Sequence, residues 1–116
     1  MNKPRQLDSP LYALLHNEDI EGFNAQKAQG GDIDFTDGDF RGLDLRLLEA
    51  EGINFTNGYF RGADLRGVDL RTTRMDGASI AHAQISGAYF PIELSADEIV
   101  MSLTYGTRMR YRPQGK

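Results

Sequence analysis

From Phe35 to Phe90 every fifth residue is apolar: Phe35, Phe40, Leu45, Ala50, Phe55, Phe60, Leu65, Leu70, Met75, Ile80, Ile85 and Phe90, with no insertion or deletion. A helix spaces its apolar residues about 3.6 apart and a strand about 2 apart. A beat of five fits neither and demands a backbone that turns a corner in every unit. A longer period lies over it. Ile-Asp-Phe-Thr-Asp-Gly-Asp-Phe-Arg-Gly-Leu-Asp-Leu-Arg, beginning at Ile33, returns twenty residues later as Ile-Asn-Phe-Thr-Asn-Gly-Tyr-Phe-Arg-Gly-Ala-Asp-Leu-Arg, identical at ten of fourteen positions. Twenty is four fives, so the natural unit is a coil with four sides, and residues 33–92 make about three such coils.

Each place in the five carries a residue type that suits such a coil. Two places before each central residue lies a second, smaller inward position, filled in turn by Ile33, Gly38, Leu43, Leu48, Ile53, Gly58, Ala63, Val68, Thr73, Ala78, Ala83 and Ala88. The place between them is mostly polar, as alternation across a short extended segment requires. Two places after the centre, glycine recurs at the corner, where a positive φ costs it least. Gly62-Ala63-Asp64-Leu65-Arg66 and Gly67-Val68-Asp69-Leu70-Arg71 resemble the alanine-aspartate-leucine units of pentapeptide-repeat proteins. The resemblance implies an all-β solenoid, a right-handed quadrilateral β-helix. After Arg71 the phase continues while Thr73-Arg74-Met75 and Ala83-Gln84-Ile85 depart from the usual aspartate or asparagine.

Stacking turns the lag of twenty into columns, with Phe35, Phe55 and Met75 in one and Phe40, Phe60 and Ile80 in the next. Coils rise by about 4.8 Å, so rings one coil apart are expected to stack in offset fashion. Ala50 breaks the size pattern, but Leu48 precedes it where later coils place Val68 before Leu70 and Ala88 before Phe90. A large and a small residue trade places and the side keeps its volume. Thr73 is the awkward inward residue, and its hydroxyl is expected to bond a neighbouring carbonyl, since an unpaired one would cost about 1–3 kcal/mol.

Both ends of such a stack need covers. Before the repeats, Ser9-Pro10 predicts a helix start, with Leu11, Leu14 and Leu15 on one face, and Asn17 to Asp19 start a second helix carrying Ile20 and Phe23 and ending near Gly30-Gly31. After them, Ser95 predicts a cap for a helix with Ile99, Val100 and Leu103 as its apolar face, ended by Gly106. Residues 107–112 then alternate basic with apolar, reading as a strand along the last rung or across a partner chain. The organisation expected is one domain: a helical cap over residues 1–32, the β-helix of about three coils over 33–92, and a C-terminal helix with a basic strand or tail over 93–116.

Little points to chemistry. The chain has no cysteine, and its two histidines, His16 and His82, fall far apart in this scheme, so no zinc set forms. Asp34, Asp37 and Asp39 cluster on the first coil, where a solvated acidic face is the reading preferred over a cation site. No nucleophile–base pair assembles. The glycines recur because the coil recurs and make no phosphate loop. The expectation is a non-enzymatic protein without cofactor or metal. With no apolar run near the ~18 residues that span a bilayer and a net charge of −4, it is expected in the cytoplasm, with no membrane partner and no sequence-specific nucleic-acid binding.

The surface carries one pattern. Arg41 and Arg61 share a column, Arg46 and Arg66 share the next, and Arg71 follows, while Asp34, Asp37, Asn54 and Asn57 occupy the first side. Those arginines are the candidate partner-binding residues, with Asp44 and Asp64 placed to interleave with them. Ile99, Val100, Leu103, Met109 and Tyr111 are the candidate dimer interface. The function expected is a protein-interaction module whose partner is another protein or itself. The alternative, drawn from the resemblance, is a DNA mimic that binds the type II topoisomerase gyrase and modulates quinolone sensitivity. Three coils at ~4.8 Å match only about four base pairs, and nine acids against six arginines over residues 33–92 make a poor phosphate ladder, so the mimic requires an end-to-end dimer.

Overall fold

The computed structural model describes residues 4–113. The first three residues of the expected N-terminal cap and the last three of the basic tail lie outside it. Within the described chain, residues 33–92 wind in coils of twenty. Parallel single-residue bridges join Asp34 to Asn54, Asp39 to Tyr59 and Asp44 to Asp64, and then Asn54 to Arg74, Tyr59 to Ser79, Asp64 to Gln84 and Asp69 to Tyr89. No described residues form a run of consecutive bridges long enough to make a strand, because each side pairs at one residue before the chain turns. It is a β-helix built of bridges. In the first coil, side one is residues 33–37, side two 38–42, side three 43–47 and side four 48–52.

The hydrogen bonds between coils follow one rule. Except at side four of the first coil, each central N–H donates to the next coil, as Phe40 N to Tyr59 O (2.8 Å), and each outward residue there donates back, as Tyr59 N to Gly38 O (3.0 Å). The corners hold the expected positive φ at Gly42, Gly52, Gly62, Gly67, Gly77 and Gly87. Leu47 takes the same left-handed conformation at φ 70° while standing 85 % exposed, a strained place for a side chain. The core is the double column foreseen in the sequence. Phe35, Phe40, Leu45, Phe55, Phe60, Leu65, Leu70, Met75 and Ile80 are buried. Phe40 stacks on Phe60 at 5.0 Å and 16°, whereas Phe35 and Phe55 meet tilted at 43°. Leu48 and Ala50 are both buried as the exchange of sizes requires, but no bridge ties side four of the first coil to that of the second, the one gap in the ladder between these coils. Thr73 donates its hydroxyl to Leu70 O at 2.7 Å.

The N-terminal cap consists of α1 (Pro10–His16) and α2 (Ile20–Lys27), whose N-caps are Ser9 and Asp19. Their side chains stand in for a missing coil. Asp39 N donates to the Tyr12 hydroxyl (3.2 Å), Asp44 N to Glu18 Oε2 (3.2 Å) and Glu49 N to Asn24 Oδ1 (3.0 Å). Of the expected apolar face only Leu15 is fully buried, with Leu11 and Leu14 half-buried, and Tyr12 takes the central place beside Phe35 and Phe40. His16 completes this end of the cap: its Nε2 lies 2.6 Å from Asp39 O and its ring packs on Tyr12.

The C-terminal cap is α3 (Ala96–Tyr105), begun by Ser95 and ended by Gly106 in the left-handed region, followed by the tail. Residues 107–112 do run along the last rung. Met109 N donates to Ala78 O and Met109 O accepts from Gly77 N. No described helix is long and apolar enough to cross a membrane.

Candidate functional site

The arginines lie where the columns put them, but four of them are occupied. In each Asp-apolar-Arg unit the carboxylate at i−2 is gripped by the Nε and Nη2 of the arginine: Asp39 by Arg41 (2.8 and 2.9 Å), Asp44 by Arg46 (2.9 and 2.7 Å), Asp64 by Arg66 (2.9 and 2.7 Å) and Asp69 by Arg71 (2.9 and 2.7 Å). The five-residue repeat makes this fork possible, since residues two apart on one short side share its outer face. Arg46 also reaches Asp64 of the next coil at 3.3 Å, the interleaving expected from the columns. Arg71 lies over the Tyr89 ring at 4.7 Å. The first side is less polarised than its aspartates and asparagines suggest, because Arg74 bridges Asn54 within that column.

These forks hold their carboxylates ionised. The hydrogen bonds from Arg46 and Arg71 bring Asp44 and Asp69 down to about 2, and those from Arg41 and Arg66 lower Asp39 and Asp64. Between the ordinary 3.8 and about 2, the unfolded chain therefore binds more protons than the folded one, and stability rises with pH through that window. The contribution is complete above the ordinary carboxylate range and is lost as pH falls through about 2. Calorimetric melting between pH 5 and pH 2 is expected to show a falling midpoint, shallow because the pairs are solvent-exposed. The slope should flatten in the Asp44→Asn, Asp69→Asn double variant.

Arg61 is the exception. Its i−2 residue is Tyr59, and among the described residues no carboxylate reaches its guanidinium. Beside it the tail delivers Arg108, which donates to Tyr59 Oη, to Gly77 O (2.9 Å) and to Asn57 Oδ1 (3.4 Å), and lies 5.1 Å over the Tyr59 ring. Arg41, Arg61, Arg108, Tyr59 and Tyr105 border an open groove of about 420 Å³ on side two. Arg46 and Arg66 border a separate hollow with Leu47 and Ile20. The five candidate arginines therefore do not form one site. Arg108 and Tyr105 were not singled out by sequence reasoning, although the change from Asp39 to Tyr59 between two otherwise similar copies marks the place.

The acidic trio on the first coil is also dispersed in its bonding. Asp34 accepts from Thr36, Asp37 lies 3.7 Å from Arg5, and Asp39 is held by Arg41 and Gln6. Of the candidate dimer residues, Met109 is buried in the chain's own core. Tyr111 is half-buried, with its hydroxyl accepting from Met75 N at 2.8 Å. Ile99 and Leu103 pack against the core, and only Val100 is largely exposed. Met109 and Tyr111 therefore complete the fold rather than face outward, because the tail occupies the last rung.

That rung is covered only in part. On sides one and two the central and corner N–H groups find acceptors: Met75 in Tyr111 Oη, Gly77 in Met109 O, Ile80 in Ser102 Oγ and His82 in Leu103 O. On sides three and four the N–H groups of Ile85, Gly87 and Phe90 and the carbonyls of Ala83 and Ala88 have no partner among the described residues. Ile85 and Phe90 are half-buried beside this edge, and Ile92 is 82 % exposed.

The pentapeptide-repeat family, described as "Pentapeptide repeats", matches residues 51–90 with eight copies. The chain carries pentapeptide repeats. The matched pentapeptides run through the stretch after Arg71 where aspartate gives out, and begin one coil later than the bridges, which extend the same geometry back to Asp34. No curated protein matches the chain, and no solved structure does.

Proposed function

We propose that this pentapeptide-repeat chain is a non-enzymatic protein-interaction module, a right-handed quadrilateral β-helix working in the cytoplasm, and that it pairs with a second copy of itself at its C-terminal end. The observation that carries this reading is the half-open last rung. An edge with Ile85, Gly87 and Phe90 N–H groups and Ala83 and Ala88 carbonyls unpaired among the described residues is a template for another backbone. Ile92 follows this edge exposed, and α3 on the same end of the solenoid exposes Val100, with Met101 at 40 %; burying such surface favours association. The N-terminal end is covered on sides two to four by α1 and α2, where Tyr12, Glu18 and Asn24 accept from the outward N–H groups and the Asp44 and Glu49 carbonyls alone of the outward groups have no partner among the described residues. Growth is thereby limited to one end, which favours a closed pair over a filament.

The gyrase-binding DNA mimic gains no support from the surface chemistry. Forks onto Asp39, Asp44, Asp64 and Asp69 neutralise the carboxylates that a phosphate-like ladder needs. Light scattering tests the pairing. The expected mass is twice the 12.9 kDa of the chain, and Ile92→Asp with Val100→Asp should give a folded monomer. A wild-type monomer at about millimolar concentration, where even a weak dimer forms, would overturn the reading.

A further inference from the structure

Two tandem copies inside one chain make a natural comparison. Phe35-Thr36-Asp37-Gly38-Asp39-Phe40-Arg41-Gly42 and Phe55-Thr56-Asn57-Gly58-Tyr59-Phe60-Arg61-Gly62 differ at two places only, and both changes remove an acid. In the first copy Asp39 grips Arg41. In the second, Tyr59 leaves Arg61 without a carboxylate among the described residues, and the two replacement residues receive Arg108 instead, Asn57 through its Oδ1 and Tyr59 through its hydroxyl and ring. The same pair of differences thus frees one guanidinium from a carboxylate and anchors a second beside it. The three acceptors that hold Arg108 are all neutral, so among the described residues neither cation is compensated. Arg41 adds a third guanidinium at the border, balanced by Asp39. A groove of about 420 Å³ carrying three guanidiniums against one carboxylate has a surplus of two positive charges, on a chain whose net charge is −4.

From this geometry we infer that the side-two groove is a binding site for a phosphate monoester, with Arg61 and Arg108 as the groups that hold it. A phosphate monoester carries about −1.5 to −2 charges near neutral pH, matching the surplus, and guanidinium forks suit its oxygens. Arg108 is held in place by three acceptors and a ring before any ligand arrives, which lowers the ordering cost of binding. The acidic remainder of the surface disfavours an extended polyanion and leaves a compact dianion as the fitting ligand. Tyr59 and Tyr105 along the groove offer aromatic surface to the group bearing the phosphate. The site lies on side two, away from the open sides three and four, so it stands or falls independently of the dimer.

Titration calorimetry with phenyl phosphate, and with benzoate as a monoanionic control, tests the assignment. Saturable binding of phenyl phosphate is expected, weakened about tenfold or more in Arg61→Gln, the size of one lost charge-assisted contact. Tyr59→Asp should have the same effect for a different reason, because it recreates on Arg61 the fork that Asp39 makes on Arg41 and leaves the core untouched. Circular dichroism confirms that each variant is folded. A phosphoserine peptide that binds more tightly than phenyl phosphate would assign the site to a phosphorylated partner, and the reverse order to a small phosphate ester; both support the inference. Absence of saturable binding, equal affinity for benzoate, or affinity unchanged in both variants would overturn it.

Discussion

Replacing Phe55 with alanine should lower the unfolding free energy by about 3–5 kcal/mol, the range for removing a fully buried aromatic side chain. Phe55 is fully buried and meets three other rings. Its centroid lies 6.1 Å from Phe35, 5.3 Å from Phe40 and 5.2 Å from Phe60, two of those contacts edge-to-face. Removing it opens the centre of a core only two side chains wide per side, where the bridged backbone cannot collapse inward without breaking the ladder above and below. Urea denaturation followed by far-ultraviolet circular dichroism measures the loss. Phe55→Leu should recover more than half of it, since most of the volume returns. A loss below about 1.5 kcal/mol for Phe55→Ala, the level of a tolerated volume-conserving swap, would mean the coil relaxes around the hole.

The second large effect is expected at Gly58, where alanine should cost about 1–3 kcal/mol through overpacking. A Cβ there would stand 2.8 Å from Phe60 Cε2 and 3.0 Å from Phe55 O. Gly38 is under the same constraint from Phe40 and Phe35 O, at 2.7 and 2.9 Å. These glycines differ in kind from the corner glycines. At Gly62 nothing lies within 4 Å of where a methyl group would stand, and the obstacle is the φ of 69°. The contrast is measurable. Phe60→Leu should relieve much of the Gly58→Ala penalty in a double-mutant cycle, because the ring is the obstacle, while leaving a Gly62→Ala penalty unchanged. Equal penalties in both backgrounds would show that the ring is not what keeps position 58 bare.

Much of the fold was legible because its period is its geometry. Once the beat of five and the lag of twenty are seen, the inward columns, the corners and the neighbours of Phe35, Phe40 and Leu45 one coil on follow by counting. Thr73 and the Leu48–Ala50 exchange were legible for the same reason. The caps were legible as helices, through Ser9-Pro10 and Ser95, but their chemistry was not. Tyr12, Glu18 and Asn24 each supply one oxygen where the missing coil would have supplied a carbonyl, and no local pattern marks a residue whose role depends on a rung twenty or more residues away. Ser102 is the same case at the other end, linking Ile80 N to Thr107 O from a buried position.

The candidate site was legible only in part. Columns placed the arginines, yet a column cannot say whether a guanidinium is free. Counting i−2 would have paired Arg41, Arg46, Arg66 and Arg71 and left Arg61 over, because that fork is local. The arrival of Arg108 could not be counted, since the tail has no repeat to carry its register. Met109 and Tyr111 show the same limit: alternation identified a strand-like tail, but both choices of partner, the chain's own last rung or another molecule, present the same sequence.

What the sequence by itself determined is everything periodic: the four-sided coil, its inward residues, its corners and the Asp–Arg forks, because each depends on contacts at separations of two, five or twenty that repetition writes out in advance. Tertiary structure alone decided what happens at the ends. It set which side chains replace a coil that is not there, brought Arg108 onto Tyr59 from 49 residues away, and left sides three and four of the last rung uncovered among the described residues. The physical reason is that an end is where the repeat stops supplying backbone partners, so each orphaned N–H and carbonyl is met, or left unmet, by whichever unique side chain the packing of the caps brings within reach.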